Sequence, residues 1–224
     1  MNAPAAALHP TPTIDSNNPA VIAFAERHIG SGSERERAVN LYYAVRDEVR
    51  YDPYSIVLSE EGLSAGRVTA TGRGWCVSKA VMLAACCRAS GIPARLGFAD
   101  VRNHLSTARM REIMKTNEFR WHGYTSIWLE GKWVKATPAF NLSLCEKFRI
   151  KPLEFDGTED SIYHPYDLDG REHMEYLRYR GEFMDVPLAE ITAEFDRIYA
   201  NMMRYIADGD FDREVARETA TPTP

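Results

Sequence analysis

The run Cys76 to Ser90, entered through Gly72-Arg73-Gly74-Trp75 and closed by Gly91-Ile92-Pro93, limits the possible folds more than any other part of the chain. At about 100° per residue, Ala80, Leu83, Ala84 and Cys87 return to the azimuth of Cys76 and form a stripe of small apolar side chains. Such a stripe favours close packing against another layer. The Gly-Ile-Pro sequence is a strong helix stop. This segment is therefore expected to be a central helix around which the other elements are arranged.

The flanking pattern supplies those elements. Asn18-Pro19 opens a short helix through His28, and Ser33 with Glu36 forms a capping box for a second helix that ends near Tyr51-Asp52-Pro53. Residues 55–74 read as a loop. After the central helix, Arg95 to Val101 alternates as a strand, and residues 103–117 are polar and partly helical. Trp121 to Leu129 and Lys132 to Ala139 form a hairpin across Glu130-Gly131. His173 to Phe183 reads as another strand, and Pro187 to Ile206 as one amphipathic helix. Helices followed by mostly antiparallel strands define an α+β chain. Its 224 residues, 45% of them hydrophobic, suit a single domain over residues 18–207, with a disordered tail at 1–17 and a flexible one at 208–224.

Charge and cysteine usage narrow the function. With a formal charge of −5 and scattered basic residues, nothing points to nucleic acid or an anionic membrane as partner. No apolar run approaches a membrane span, and no signal-peptide pattern opens the chain, so the expected location is the cytoplasm. The four cysteines lack a CxxC spacing, so neither a zinc site nor a disulfide framework is expected. Cys86 and Cys87 read as core residues. No metal or cofactor is implied; the acidic run Asp156 to Asp160 does not match an EF-hand and reads as a solvated loop.

Cys76 differs from the other three. A glycine turn delivers it to the first turn of a helix, where unpaired N–H groups and the helix dipole are expected to favour thiolate. A nucleophilic thiol needs a base, and His122 alone among six histidines opens a clear strand. With Glu130-Gly131 as a two-residue turn, Trp128 faces Trp133, Ser126 faces Lys135, Tyr124 faces Thr137 and His122 faces Ala139. Thr137 and Asn141 are then the diagonal neighbours of His122. Either could orient its ring, though neither is charged.

These residues carry a family resemblance. Gly74-Trp75-Cys76 with its Ala/Leu-rich helix, Ser90-Gly91-Ile92-Pro93-Ala94-Arg95, His122-Gly123-Tyr124 and Gly131 to Pro138 together resemble the transglutaminase-like superfamily core, in the family's order. The resemblance implies a papain-like fold with the cysteine helix packed on an antiparallel sheet. It also implies cysteine-dependent acyl transfer through a thioester on a peptide or small-molecule donor, as peptidase, amidase or amine transferase. Cys76 would be the nucleophile and His122 the base. Where the family places an acid before proline, this chain has Thr137, so a catalytically weak binding or scaffold module is the alternative, and Asp100 or Asp156 could supply the missing acid. Tyr51, where the family often has tyrosine, is a candidate oxyanion donor, and Trp75 a candidate channel wall. Arg67, Arg73, Arg102, Arg109 and Arg111 would favour an acidic donor. His164 would pack over the cleft.

Overall fold

The computed structural model describes residues 4–103, 106–162, 167–170, 174–206 and 209–220. His104, His164 and His173 lie outside them. A single 3-10 turn at Ala5–Leu8 precedes helices α1 (Pro19–His28) and α2 (Glu34–Glu48). The capping box of α2 forms as expected: Glu36 N–H donates to Ser33 Oγ, and Ser33 N–H donates to Glu36 Oε2 at 2.8 Å. Strand β1 (Arg50–Tyr51) follows, then short helices α3 (Glu60–Leu63) and α4 (Ala65–Thr71), each capped by a serine, Ser59 and Ser64. These two helices replace the expected loop, because serine caps can start helices even where no apolar period is long enough to read.

Strand β2 (Arg73–Gly74) pairs in parallel with β1 and leads into α5 (Cys76–Ala89), the central helix. Its start is held by Ser78 Oγ, which accepts the Trp75 N–H at 3.0 Å. Its end is a Schellman motif: Ile92 N–H donates to the Cys87 carbonyl and Gly91 N–H to that of Arg88, with Gly91 at φ 76°. Every residue from Cys76 to Arg88 is buried, not only the expected stripe. Cys86 and Cys87 are core residues, as expected. Even Lys79 is fully buried; its Nζ donates to the Arg46 and Val49 carbonyls at the end of α2, and burial pushes its pKa down to about 7.

Strands β3 (Ala94–Asn103), β4 (Glu118–Leu129), β5 (Lys132–Ala136) and β6 (Met174–Phe183) form one antiparallel sheet in the order β5-β4-β3-β6. Helix α6 (Ala108–Met114) lies between β3 and β4, and α7 (Leu142–Phe148) follows β5. The hairpin register is as read from the sequence, with Trp128 opposite Trp133 and Ser126 opposite Lys135. Ladder pairing stops at Ala136, short of the expected Ala139. Helix α5 packs on this sheet, and Thr125 Oγ1 of β4 donates to the Ala80 carbonyl of α5 at 2.8 Å. The architecture is α+β, with the cysteine helix against an antiparallel sheet.

The chain ends with α8 (Leu188–Ile198), α9 (Ala200–Tyr205) and α10 (Phe211–Glu218). The single helix expected over 187–206 is broken at Tyr199, which leaves helical geometry. Its hydroxyl donates to the Glu118 carbonyl and accepts the Arg120 N–H, tying the break to β4. Neither expected tail is loose throughout. Ala7, Thr13 and Ile14 are buried, and the Arg88 guanidinium donates to the His9 carbonyl. Phe211 and Val215 of α10 are buried as well. Both segments are too short and polar to show a period, and the apolar side chains they contribute find their partners only in three dimensions. Among the described residues, no helix is long and apolar enough to cross a membrane.

Candidate active site

Strand β2 and the Trp75 N-cap place Cys76 on the first turn of α5, while the parallel β1–β2 pair sets Tyr51 directly beside Gly74. On the other side, β4 brings His122 up to the same end of α5. Gly123 permits this approach: a Cβ there would lie 2.9 Å from Val77 Cα and 3.4 Å from the Cys76 carbonyl oxygen. The glycine following the histidine therefore sets the spacing between strand and helix. Gly123→Ala is expected to lower stability by about 1–3 kcal/mol, read as a shift in urea midpoint, and to slow alkylation of Cys76. An unchanged midpoint together with an unchanged alkylation rate would contradict this spacing role.

Cys76 and His122 face one cavity, together with Tyr51, Trp75 and Phe195. Both residues are buried, with Cys76 8% exposed and His122 5%. Burial pushes the Cys76 thiol up to about 11, even though the Gly123, Val77 and Cys76 backbone N–H groups act to lower it. The sequence expectation of a favoured thiolate is corrected here. Removing the sulfur from water costs the anion more than the helix terminus returns.

The position of His122 depends on a bulge. Ala99 pairs with His122, but the register slips before Val101 meets Phe119, and Trp121 takes φ 60°. A non-glycine residue in the left-handed region needs support. Asp100, fully buried, provides it: its Oδ1 accepts the Trp121 N–H at 3.2 Å and Arg180 Nε at 2.5 Å, and its Oδ2 accepts Arg120 at 3.0 Å. Burial raises the Asp100 pKa, but hydrogen bonds from Arg180, Arg120 and Trp121 more than offset it and hold the carboxyl below its ordinary value.

The other candidate orienters are committed elsewhere or distant from the cavity. Asp156 is on the surface, where its carboxylate closes a turn onto Thr158. The Asn141 side chain accepts the Tyr51 N–H and donates to Ser143. Thr137 lies just past β5 with its Oγ1 buried and without a hydrogen-bond partner among the described residues, and it does not line the Cys76 cavity. Trp75, in contrast, does wall that cavity. Its ring packs edge-on to Phe195 at 5.8 Å, and its buried Nε1–H has no partner among the described residues.

The model of the transglutaminase-like superfamily matches residues 22–138. The chain belongs to this superfamily. The matched span holds the transglutaminase-like core from α1 through β5, including Cys76, His122 and Thr137. No curated protein matches the sequence. Among solved structures, a protein from Cytophaga hutchinsonii described provisionally as a cysteine protease matches at 17% identity with a TM-score of 0.44, over 59% of this chain and 40% of that one. Another, from Parabacteroides distasonis and described provisionally as a protease, matches at 17% identity with a TM-score of 0.37, over 52% of this chain and 22% of that one. The chain thus spans less than half the length of either. Residues 174–218, which supply β6 and the three C-terminal helices, lie outside the superfamily match, yet Phe195, Tyr199 and Met202 from that segment line the cavity that holds Cys76 and His122.

The arginines expected to favour an acidic donor do not face the site. Arg73 pairs with Asp52, Arg102 with Glu118 and Glu175, and Arg109 with Glu214, while Arg111 donates to the Ser106 carbonyl. Arg67 lines a separate cleft near Val57.

Proposed function

We propose that this protein is a cysteine-dependent acyl-transfer enzyme acting on an amide or ester through a thioester. The observation that carries this reading is the convergence of Cys76, at the N-terminus of α5, and His122, on β4, in the wall of one cavity. With its pKa near 11, Cys76 is a thiol at neutral pH, so His122 acts as a general base during attack rather than within a preformed ion pair.

As Sγ bonds to the carbonyl carbon, its proton passes to His122, and the carbonyl π electrons move onto oxygen. The Cys76 backbone N–H and the Trp75 Nε1–H, which has no partner among the described residues, are candidate donors to that oxyanion, beside the Tyr51 hydroxyl in the same cavity. Collapse expels the amine or alcohol, which takes the proton from His122. Water or an amine then attacks the thioester, its proton going to His122 and returning to the sulfur as the acyl product leaves.

Incubation with activated acyl donors, followed by intact-mass measurement, should show one acyl adduct that maps to Cys76 and is absent from Cys76→Ala. Trp75→Phe should slow its formation by roughly 10²–10³-fold, whereas Tyr51→Phe should slow it less; the reverse order would transfer the oxyanion role to Tyr51. The uncharged Thr137 favours a competing reading, a transglutaminase-like binding module without turnover. Absence of any Cys76 adduct, with ligand binding retained in Cys76→Ala, would establish that alternative.

A further inference from the structure

A second cavity adjoins the one that holds the dyad. The two share Tyr51, Pro53, Met110 and Phe119 as walls, and the second extends between Phe140, Phe148 and Phe211. Their walls are almost wholly apolar. Among the described residues that line the first, the cationic side chain is Arg120, and it is already paired with Asp100 and with Glu118 at 2.5 Å. A carboxylate entering here would find no free charge to pair with and would be desolvated at a cost.

Each cavity has free space of about 30 Å³, enough for an ordered water but too little for a chain of several carbons. Several of the walls are nonetheless soft. Met110, Met114 and Met202 line the first cavity, and methionine side chains can rearrange at little cost to make room for an apolar group.

From these shared apolar walls we infer that the acyl part of the donor is an apolar chain, which enters past Cys76 and extends between Tyr51 and Phe119 into the second cavity. This inference rests on Cys76 being the acylated residue. It assigns specificity to Phe211 of α10 and Met202 of α9, both outside the superfamily match, as well as to the core.

The test uses the full chain and a series of p-nitrophenyl esters from acetyl to hexanoyl, with a succinyl ester as the acidic member. The rate of Cys76 acylation, by intact mass, should rise about threefold per added methylene and reach at least about 30-fold by hexanoyl, with the succinyl ester slower than butyryl by tenfold or more. Phe119→Arg, at a half-buried position shared by both cavities, should collapse the hexanoyl advantage and narrow the succinyl deficit. A flat series, or a succinyl preference in the wild type, would overturn the inference while leaving the thioester chemistry intact. Calorimetric titration of Cys76→Ala with hexanamide and succinamate separates the two ideas. Hexanamide binding alone, with no acylation of the wild type, would uphold the pocket and reject the chemistry. Absence of hexanamide binding together with absence of acylation would reject both.

Discussion

Replacing His122 by alanine is expected to slow alkylation of Cys76 by iodoacetamide at least 100-fold at pH 7, within the 10²–10⁴ range of a positioned general base. The reason lies in the burial of the thiol. With the Cys76 pKa near 11, the thiolate is a fraction of about 10⁻⁴ at pH 7, so a base has to take the proton as the bond forms. The pH profile carries the sign. Without His122, only spontaneous thiolate reacts, and the rate should climb tenfold per pH unit toward pH 11. The wild type should level off at lower pH. Superimposable profiles would mean that His122 is not the base, despite facing the same cavity. Cys86 and Cys87, fully buried in the same helix and also shifted upward, should stay unlabelled in native protein and serve as internal controls.

Asp100→Ala is expected to cost about 3 kcal/mol of stability, the lower end for breaking a buried ion pair, because it strips the Trp121 N–H of its acceptor and leaves Arg120 and Arg180 with only Glu118 and Glu194 as carboxylate partners. The Arg180 guanidinium also holds Glu194 of α8 at 2.7 Å, and Glu194 accepts the Trp121 Nε1–H at 2.6 Å. One carboxylate thus joins β3, the bulge before His122, β6 and the helix that covers the site. Loss of urea stability should be accompanied by slower Cys76 alkylation in the folded variant, since His122 would lose its aim. The pH dependence follows from the lowered pKa. The folded carboxyl titrates below the unfolded value, so its contribution is complete above about pH 4 and is lost as pH falls through the folded value. The gap between wild type and variant should therefore narrow on acidification below pH 4. A gap independent of pH in that range would show that Asp100 acts through packing alone.

Much of the core could be read from local pattern. The Ser33–Glu36 capping box, the Gly91-Ile92-Pro93 stop and the Glu130-Gly131 hairpin each use residues a few positions apart, and each has the expected form. The hairpin register followed from its turn, but β4 begins at Glu118, so His122 lies within the strand that meets the cysteine helix and does not open it as expected. The roles of Asp100, Gly123 and Lys79 had no such signal. Asp100 was one of the acids that could have met His122, and its actual partners come from two other strands, β4 and β6. Gly123 looks like any strand glycine until Val77 is found beneath it. Lys79 reads as a helix surface residue until α2 is seen to end over it.

The glycine-presented helix from Cys76 to Ala89 was legible in the sequence by itself, because a run of small apolar side chains between a glycine turn and a Gly-Ile-Pro stop favours a closely packed helix. The sequence also picked out Cys76 and His122 as the candidate pair. Tertiary structure decided their protonation and their surroundings. Burial, which depends on what the distant C-terminal helices cover, outweighed the helix terminus and raised the thiol. The same helices line with apolar side chains a cleft expected to be bordered by arginines, and three of those arginines, Arg73, Arg102 and Arg109, pair with acidic partners elsewhere.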